Sequence, residues 1–158
     1  MSKLFIFCFL VSGYSILTSF RFSPAADFYS LDLVDSLDLD RKKYMDQVLL
    51  AIKGKEKMRV DSVFNNLHVL SGFPAQNLVL IMNAYSKALG VSCGHCHNTN
   101  DFGSDEIGKK DITRAMVELS KEINEKLKSI SGLGARPIVN CTTCHRGELK
   151  PAFQFPAK

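Results

Sequence analysis

Two pentapeptides carry the chemistry in this sequence: Cys93-Gly94-His95-Cys96-His97 and Cys141-Thr142-Thr143-Cys144-His145. Each reads C-x-x-C-H, the attachment signature of c-type haem. The paired thiols can add across the two vinyl groups of a porphyrin. A two-residue spacer lets one tight turn present both sulfurs along the edge of the macrocycle. The next residue, His97 or His145, then lies over the ring face, where its Nε2 can bind iron as the proximal ligand. A disulfide, a zinc site or a thioredoxin-like dithiol would also use such Cys pairs. A four-thiolate zinc site has no need of a His after each pair, however, and a redox dithiol does not usually come twice in a small helical domain.

The sixth iron ligand decides between functions. Methionine makes a closed centre of raised potential suited to electron transfer, whereas an open position suits catalysis or small-ligand binding. Past residue 25 the chain offers Met45, Met58, Met82 and Met116, with His68 and His95 as spare histidines. His95 lies between the cysteines of its own motif, where it points away from iron, and His68 reads as a surface or capping residue. Met82 and Met116 sit on the apolar stripes of the two helices preceding the motifs. On periodicity alone each is either a ligand or ordinary core packing, since Met fills gaps well.

The elements that must position these residues are helical. Tyr44, Met45, Val48, Leu49 and Ile52 recur at three- and four-residue spacing and predict an amphipathic helix over 41–53, ending near Gly54. A short helix is expected over 61–67. After Pro74, a stripe of Leu78, Val79, Met82, Tyr85, Ser86 and Leu89 predicts a helix that Gly90 stops, directly before the first motif. A loop over 98–105 follows. Ile112, Ala115, Met116, Leu119, Ile123 and Leu127 then predict a helix over 109–130 with an inward apolar face. Ser131-Gly132-Leu133-Gly134 stops it, and Pro137 forces extended chain before the second motif. The chain thus holds a coarse repeat: a helix with an inward Met, a Gly-rich stop and a C-x-x-C-H. Nothing in it reads as strand.

The 158 residues, 46% hydrophobic and 23% charged, suit one soluble globular domain and exclude a disordered, collagen-like or multi-span membrane chain. Nucleic acid is not an expected partner, because the formal charge is only +4 and no long basic run occurs. The basic pair Lys109-Lys110 and the mixed face from Lys121 to Lys128 read as solvated helix surface.

Residues 1–25 have the pattern of a secretory signal: Lys3, an apolar run from Leu4 to Leu17, and small residues at Ser23-Pro24-Ala25-Ala26. Cleavage after Ala25 is the expected outcome, with an uncleaved anchor as the alternative that would associate the protein with a membrane. Cleavage removes Lys3, Arg21 and Cys8 and leaves a net charge of +2. Two ferric haems, each about −1 with both propionates ionised, bring that to about zero. Of the five cysteines, Cys8 goes with the leader and the other four become thioethers, so no disulfide and no free thiol is expected. Residues 26–54 read as an acidic, exposed N-terminal arm and the first helix, residues 55–158 as the haem domain, and the tail after Pro151 as irregular chain laid over a hydrophobic surface.

Several stretches resemble the multihaem cytochrome subunit of photosynthetic reaction centres and its shorter relatives. They are Val63 to Leu67, Pro74 to Gly90 with Met82, Cys93 to Asn98, Thr113-Arg114-Ala115-Met116, and Val139 to Gly147, together spanning about residues 55–153. In that family a helix before each motif supplies a Met as sixth ligand. The resemblance implies Met82 for the first haem and, 19 residues after His97, Met116 for the second. The reaction-centre subunits carry four haems in a longer chain, whereas this sequence has two motifs and resembles one half. No histidine lies between His97 and His145, so an additional bis-histidine haem is not implied.

The expectation is therefore a mainly α, small multihaem cytochrome c domain, exported to the periplasm or the outer face of the cytoplasmic membrane. Two covalent haem c groups would be held by Cys93 and Cys96 with His97 and Met82, and by Cys141 and Cys144 with His145 and Met116. Arg146 would either pair with a propionate or remain solvated. The expected role is one-electron transfer between redox protein partners, a membrane-bound electron-transfer complex among them. A dihaem enzyme of peroxidase type with one open iron, or a redox-sensing module, is the competing expectation.

Overall fold

A computed structural model describes residues 25–134 and 137–151, with side chains from residue 36. Residues 1–24 of the expected signal segment and the tail beyond Pro151 lie outside the described residues. The chain order is α1 (Ala25–Ala51), α2 (Val60–Val63), α3 (Ala75–Leu89), a 3-10 turn (Cys93–His95), α4 (Lys109–Lys128) and α5 (Cys141–His145). No strand occurs among the described residues. The sole extended pairings there are the isolated bridges Arg59 to Pro74 and Asn98 to Asp101. No helix among them is long and apolar enough to cross a membrane.

Residues 27–40, expected as an exposed N-terminal arm separate from the first helix, are helical and form the first half of α1. The stretch has no Gly or Pro, and its aspartates are tolerated towards a helix N-terminus. Once the amphipathic half over 41–51 is fixed by packing, adding turns upstream is cheap because the nucleus is already formed. The helix expected over 61–67 is confined to Val60–Val63. Phe64 is already extended, at φ −111° and ψ 143°, and Asn66 follows with a left-handed φ of 60°.

Buried Val60, Ala75, Leu78, Val79 and Ala88 form the packing centre where α1 and α2 meet α3. The bridge between Arg59 and Pro74 sets the entry to α3: Val60 N–H donates to Phe73 O at 2.9 Å and Ala75 N–H to Met58 O at 2.8 Å. Pro74 is the extended N-cap, and α3 ends where Gly90, at φ 64°, turns the chain left-handed into the first motif. α3 also packs on α5, so one helix underlies both C-x-x-C-H segments.

α4 departs from expectation in its facing. Its one fully buried residue is Val117, while Ile112, Met116 and Leu119 of the predicted inward stripe are 60%, 40% and 45% exposed. Thr113, Arg114 and Val117 turn inward instead, so Met116 occupies a different face of the helix from the one that packs.

Candidate functional site

The first motif is built from a helix end. Ser86, buried in the last turn of α3, donates its hydroxyl to Val91 O, and Val91 N–H returns a bond to Ser86 O at 3.1 Å. The chain then winds into the 3-10 turn, closed by Cys96 N–H and His97 N–H to Cys93 O at 3.3 and 3.1 Å. From α1, Asp40 Oδ2 accepts the Cys93 amide at 3.3 Å.

This turn opens on a cavity of about 400 Å³, within the range of small-molecule and cofactor sites. Met82, Cys93, Cys96 and His97 all line it, between α1, α3 and α4. One motif and a methionine from the helix before it, residues of the types that a c-type haem needs, thus face one largely apolar space. Thiol, imidazole and thioether donors fit that group.

The His97 ring is held for the task. Its Nδ1 lies 3.2 Å from Phe102 O, and because a carbonyl only accepts, Nδ1 carries the proton and Nε2 keeps its lone pair. Burial pushes the His97 imidazole below its ordinary value, which keeps it neutral, and the Lys110 ammonium adds to that. The Phe102 ring packs on it at 5.3 Å between centroids, and Tyr44 meets Phe102 edge-on at 5.9 Å.

Burial likewise pushes the Cys93, Cys96 and Cys141 thiols above their usual value. That is the opposite of the lowered thiol of a thioredoxin-like pair. All four motif cysteines are free of disulfides. Among the described residues no three His, Cys, Asp or Glu side chains converge as a metal site, so the two pairs are not gathered into one zinc centre.

The second motif is α5. Asn140 caps it reciprocally: Thr143 N–H donates to Asn140 Oδ1 at 3.2 Å, and Asn140 N–H to Thr143 Oγ1 at 3.1 Å. His145 Nδ1 donates to Glu148 O at 3.1 Å, leaving Nε2 free as in the first motif. Arg146 closes the helix at φ 53°, with its side chain exposed. Cys141, Cys144, His145, Arg146 and Met116 are not brought to the first cavity. Ile138, three residues before Cys141, is 74% exposed.

Residues 33–156 match the family described as the photosynthetic reaction centre cytochrome C subunit. The chain belongs to this family. Among curated proteins, the photosynthetic reaction center cytochrome c subunit of Roseobacter denitrificans is 30% identical over 105 residues, 63% of this chain and 28% of that protein. Cytochrome c-554 of Chloroflexus aurantiacus is 37% identical over 81 residues, 51% of this chain and 20% of that protein. The photosynthetic reaction center cytochrome c subunit of Rubrivivax gelatinosus is 31% identical over 85 residues, 46% and 23% of the two chains. The chain thus spans only a fifth to somewhat over a quarter of these relatives' lengths.

In this member of the cytochrome c subunit family, several site residues escaped the sequence reading. Phe102 and Lys110 read as loop and solvated surface. In the fold, the Lys110 side chain is 11% exposed and donates to Phe102 O at 2.8 Å and to Ser104 O, closing the loop over His97. Arg114 lines the cavity and pairs with Asp105 at 2.9 Å and Asp111 at 2.7 Å. Tyr85 lines the cavity too. Burial raises its phenol above the ordinary value. His68 is exposed yet also lines the cavity, and its Nε2 donates to Asn66 Oδ1 at 2.6 Å.

Proposed function

We propose that this chain is an exported dihaem c-type cytochrome that carries single electrons between redox partners. The observation that carries the reading is the convergence of Met82, Cys93, Cys96 and His97 on one apolar cavity. A haem bound there supplies a one-electron couple between ferric and ferrous iron. Cys93 and Cys96 would anchor the macrocycle through thioethers, and His97, oriented by Phe102 O, and Met82 from α3 would hold the iron.

Cys141, Cys144 and His145 would do the same work at the second site, with Met116 as the sixth ligand and Arg146 as a propionate partner. The outward stripe of Ile112, Met116 and Leu119 supports this assignment, because a macrocycle laid over it would remove apolar surface from water. Two methionine-closed centres suit an electron carrier better than a peroxidase, which needs an open iron. The relatives named as reaction-centre subunits make a membrane-bound electron-transfer complex at the outer face of the cytoplasmic membrane the partner class we assign.

Mass spectrometry of the denatured protein, combined with cyanide and peroxide assays, tests the reading. Two covalent haems per chain, slow cyanide binding and no peroxide turnover are expected. A high-spin haem that binds cyanide readily and turns over peroxide would make the protein an enzyme.

A further inference from the structure

Three cationic side chains outside the motifs line the first cavity: Arg41, Lys110 and Arg114. Arg41 donates to Val91 O at 2.9 Å and to Asp38 Oδ1 at 2.8 Å, and Arg114 pairs with Asp105 and Asp111. Lys110 differs, because it ends on the oxygen that His97 uses. Its Nζ donates to Phe102 O at 2.8 Å, and His97 Nδ1 donates to the same oxygen at 3.2 Å. One carbonyl thus serves two donors: an imidazole that can bind iron through its other nitrogen, and an ammonium whose side chain is only 11% exposed.

Two donors on one acceptor weaken each other, since each draws electron density from the oxygen. An imidazole whose Nδ1–H is bonded less strongly has less imidazolate character, so its Nε2 is a weaker donor to a metal. The charge of Lys110 also reaches the ring: after burial it is the next cause that holds the His97 imidazole below its ordinary value. Asp105 lies 3.5 Å from Lys110 but is bound more closely by Arg114, at 2.9 Å, so it neutralises the ammonium only in part. The loop that carries Phe102 has other ties. Asn66 Nδ2 donates to Gly103 O at 2.7 Å, and Gly103 N–H donates to Asp101 Oδ1 at 3.0 Å. A buried lysine that served only as a staple would duplicate them.

We propose that Lys110 is a positioning residue of the first site, acting on His97 through the shared oxygen of Phe102, and that it raises the potential of the haem attached at Cys93 and Cys96. The proposal rests on the reading of function above. Its two routes have the same sign. A less basic Nε2 stabilises ferric iron less than a strongly bonded imidazole does. A cation held near the site, poorly screened by water, opposes the extra positive charge of the ferric state. Lys110 lies in the first turn of α4, whereas His97 follows the 3-10 turn after α3, so the start of one helix sets the strength of a ligand presented by another.

The test uses the full haem-loaded chain with Lys110→Leu and Lys110→Arg, read by spectroelectrochemical titration and by proton NMR of the His97 Nδ1–H in the ferrous protein. Lys110→Leu should shift the ferrous–ferric equilibrium of one haem about threefold to tenfold towards ferric and leave the other haem unmoved. Its Nδ1–H resonance should move downfield, because the carbonyl then serves a single donor. Lys110→Arg, which keeps the charge and the donors, should hold most of the parent's potential. Unmoved potentials in Lys110→Leu, an equal shift at both haems, or an upfield move of the Nδ1–H resonance, as a loosened loop would give, would overturn the proposal. If Lys110→Leu fails to accumulate with haem, Lys110→Gln decides: a shift towards ferric at one haem supports the assignment and an unmoved potential refutes it. A parent chain with no covalent haem at Cys93 and Cys96 would overturn the functional reading as well, whereas haem present with unmoved potentials overturns the Lys110 assignment alone.

Discussion

Gly147, two residues past His145, donates its backbone N–H to Ala88 O at 2.9 Å in the last turn of α3. The carbonyl of Gly147 lies so close to Gly90 that a Cβ on Gly90 would overlap it. The turn that leads into the first motif and the turn that leaves the second are therefore in backbone contact. Through this seam the two sites share one scaffold rather than forming two beads on a string.

Gly90→Ala should destabilise the protein by about 2–4 kcal/mol, from left-handed strain at φ 64° together with displacement of Gly147. Gly54 is a fair comparison, since it also has positive φ, at 82°, but meets nothing within 4 Å. Gly54→Ala should cost only about 1–2 kcal/mol. Urea unfolding of the two variants checks the difference, and equal losses would remove the close contact from the explanation.

Asn124 grips the chain before the second motif: its Nδ2 donates to Val139 O and its Oδ1 accepts from Val139 N–H, each at 2.8 Å. Asn124→Ala strands both half-buried backbone groups and should cost about 1–3 kcal/mol. Hydrogen exchange should show faster exchange over 138–145, with residues 86–97 unchanged.

Arg114 holds the Asp105 carboxyl far below the usual carboxylate range through Nη2 contacts of 2.9 and 3.2 Å. Because the folded value lies below the unfolded one, the pair's contribution is fully present above about pH 4 and is lost as the pH falls through the folded value. Asp105→Asn should lower stability at neutral pH and flatten the acid side of the stability curve. Urea midpoints at about pH 7 and about pH 3 should therefore differ less in the variant than in the parent.

Met116→His should lower the potential of one haem and abolish its sulfur-to-iron charge-transfer band, because thioether ligation favours the ferrous state. Met82→His should do so at the other haem. Redox titration of both variants checks this, and one variant affecting both haems would contradict separate ligation.

The motifs, the Met82 helix and its stop at Gly90 were legible because each is a local pattern: a fixed spacing, a 3.6-residue stripe, a glycine in a left-handed cap. Arg41 was not. Its bond to Val91 O spans 50 residues, and the cavity it lines exists only after α1, α3 and α4 come together. Lys110 looked like a surface charge for the same reason. The facing of α4 was misread because its apolar stripe is genuine, yet among the described residues no protein element packs over its Ile112, Met116 and Leu119 segment. An apolar stripe left uncovered and one packed on a neighbouring helix look alike in sequence. The extension of α1 through residues 27–40 went unseen because acidic residues with scattered leucines lack a stripe, although nothing there stops a helix.

The central claim is that both centres have one His and one Met on iron. Near-infrared magnetic circular dichroism of the oxidised, fully loaded protein tests it most directly. Sulfur-to-iron charge-transfer intensity corresponding to two low-spin haems, halved by either Met82→His or Met116→His, is the predicted result. A high-spin signal from either haem, or a bis-histidine signature in the unsubstituted protein, would contradict it.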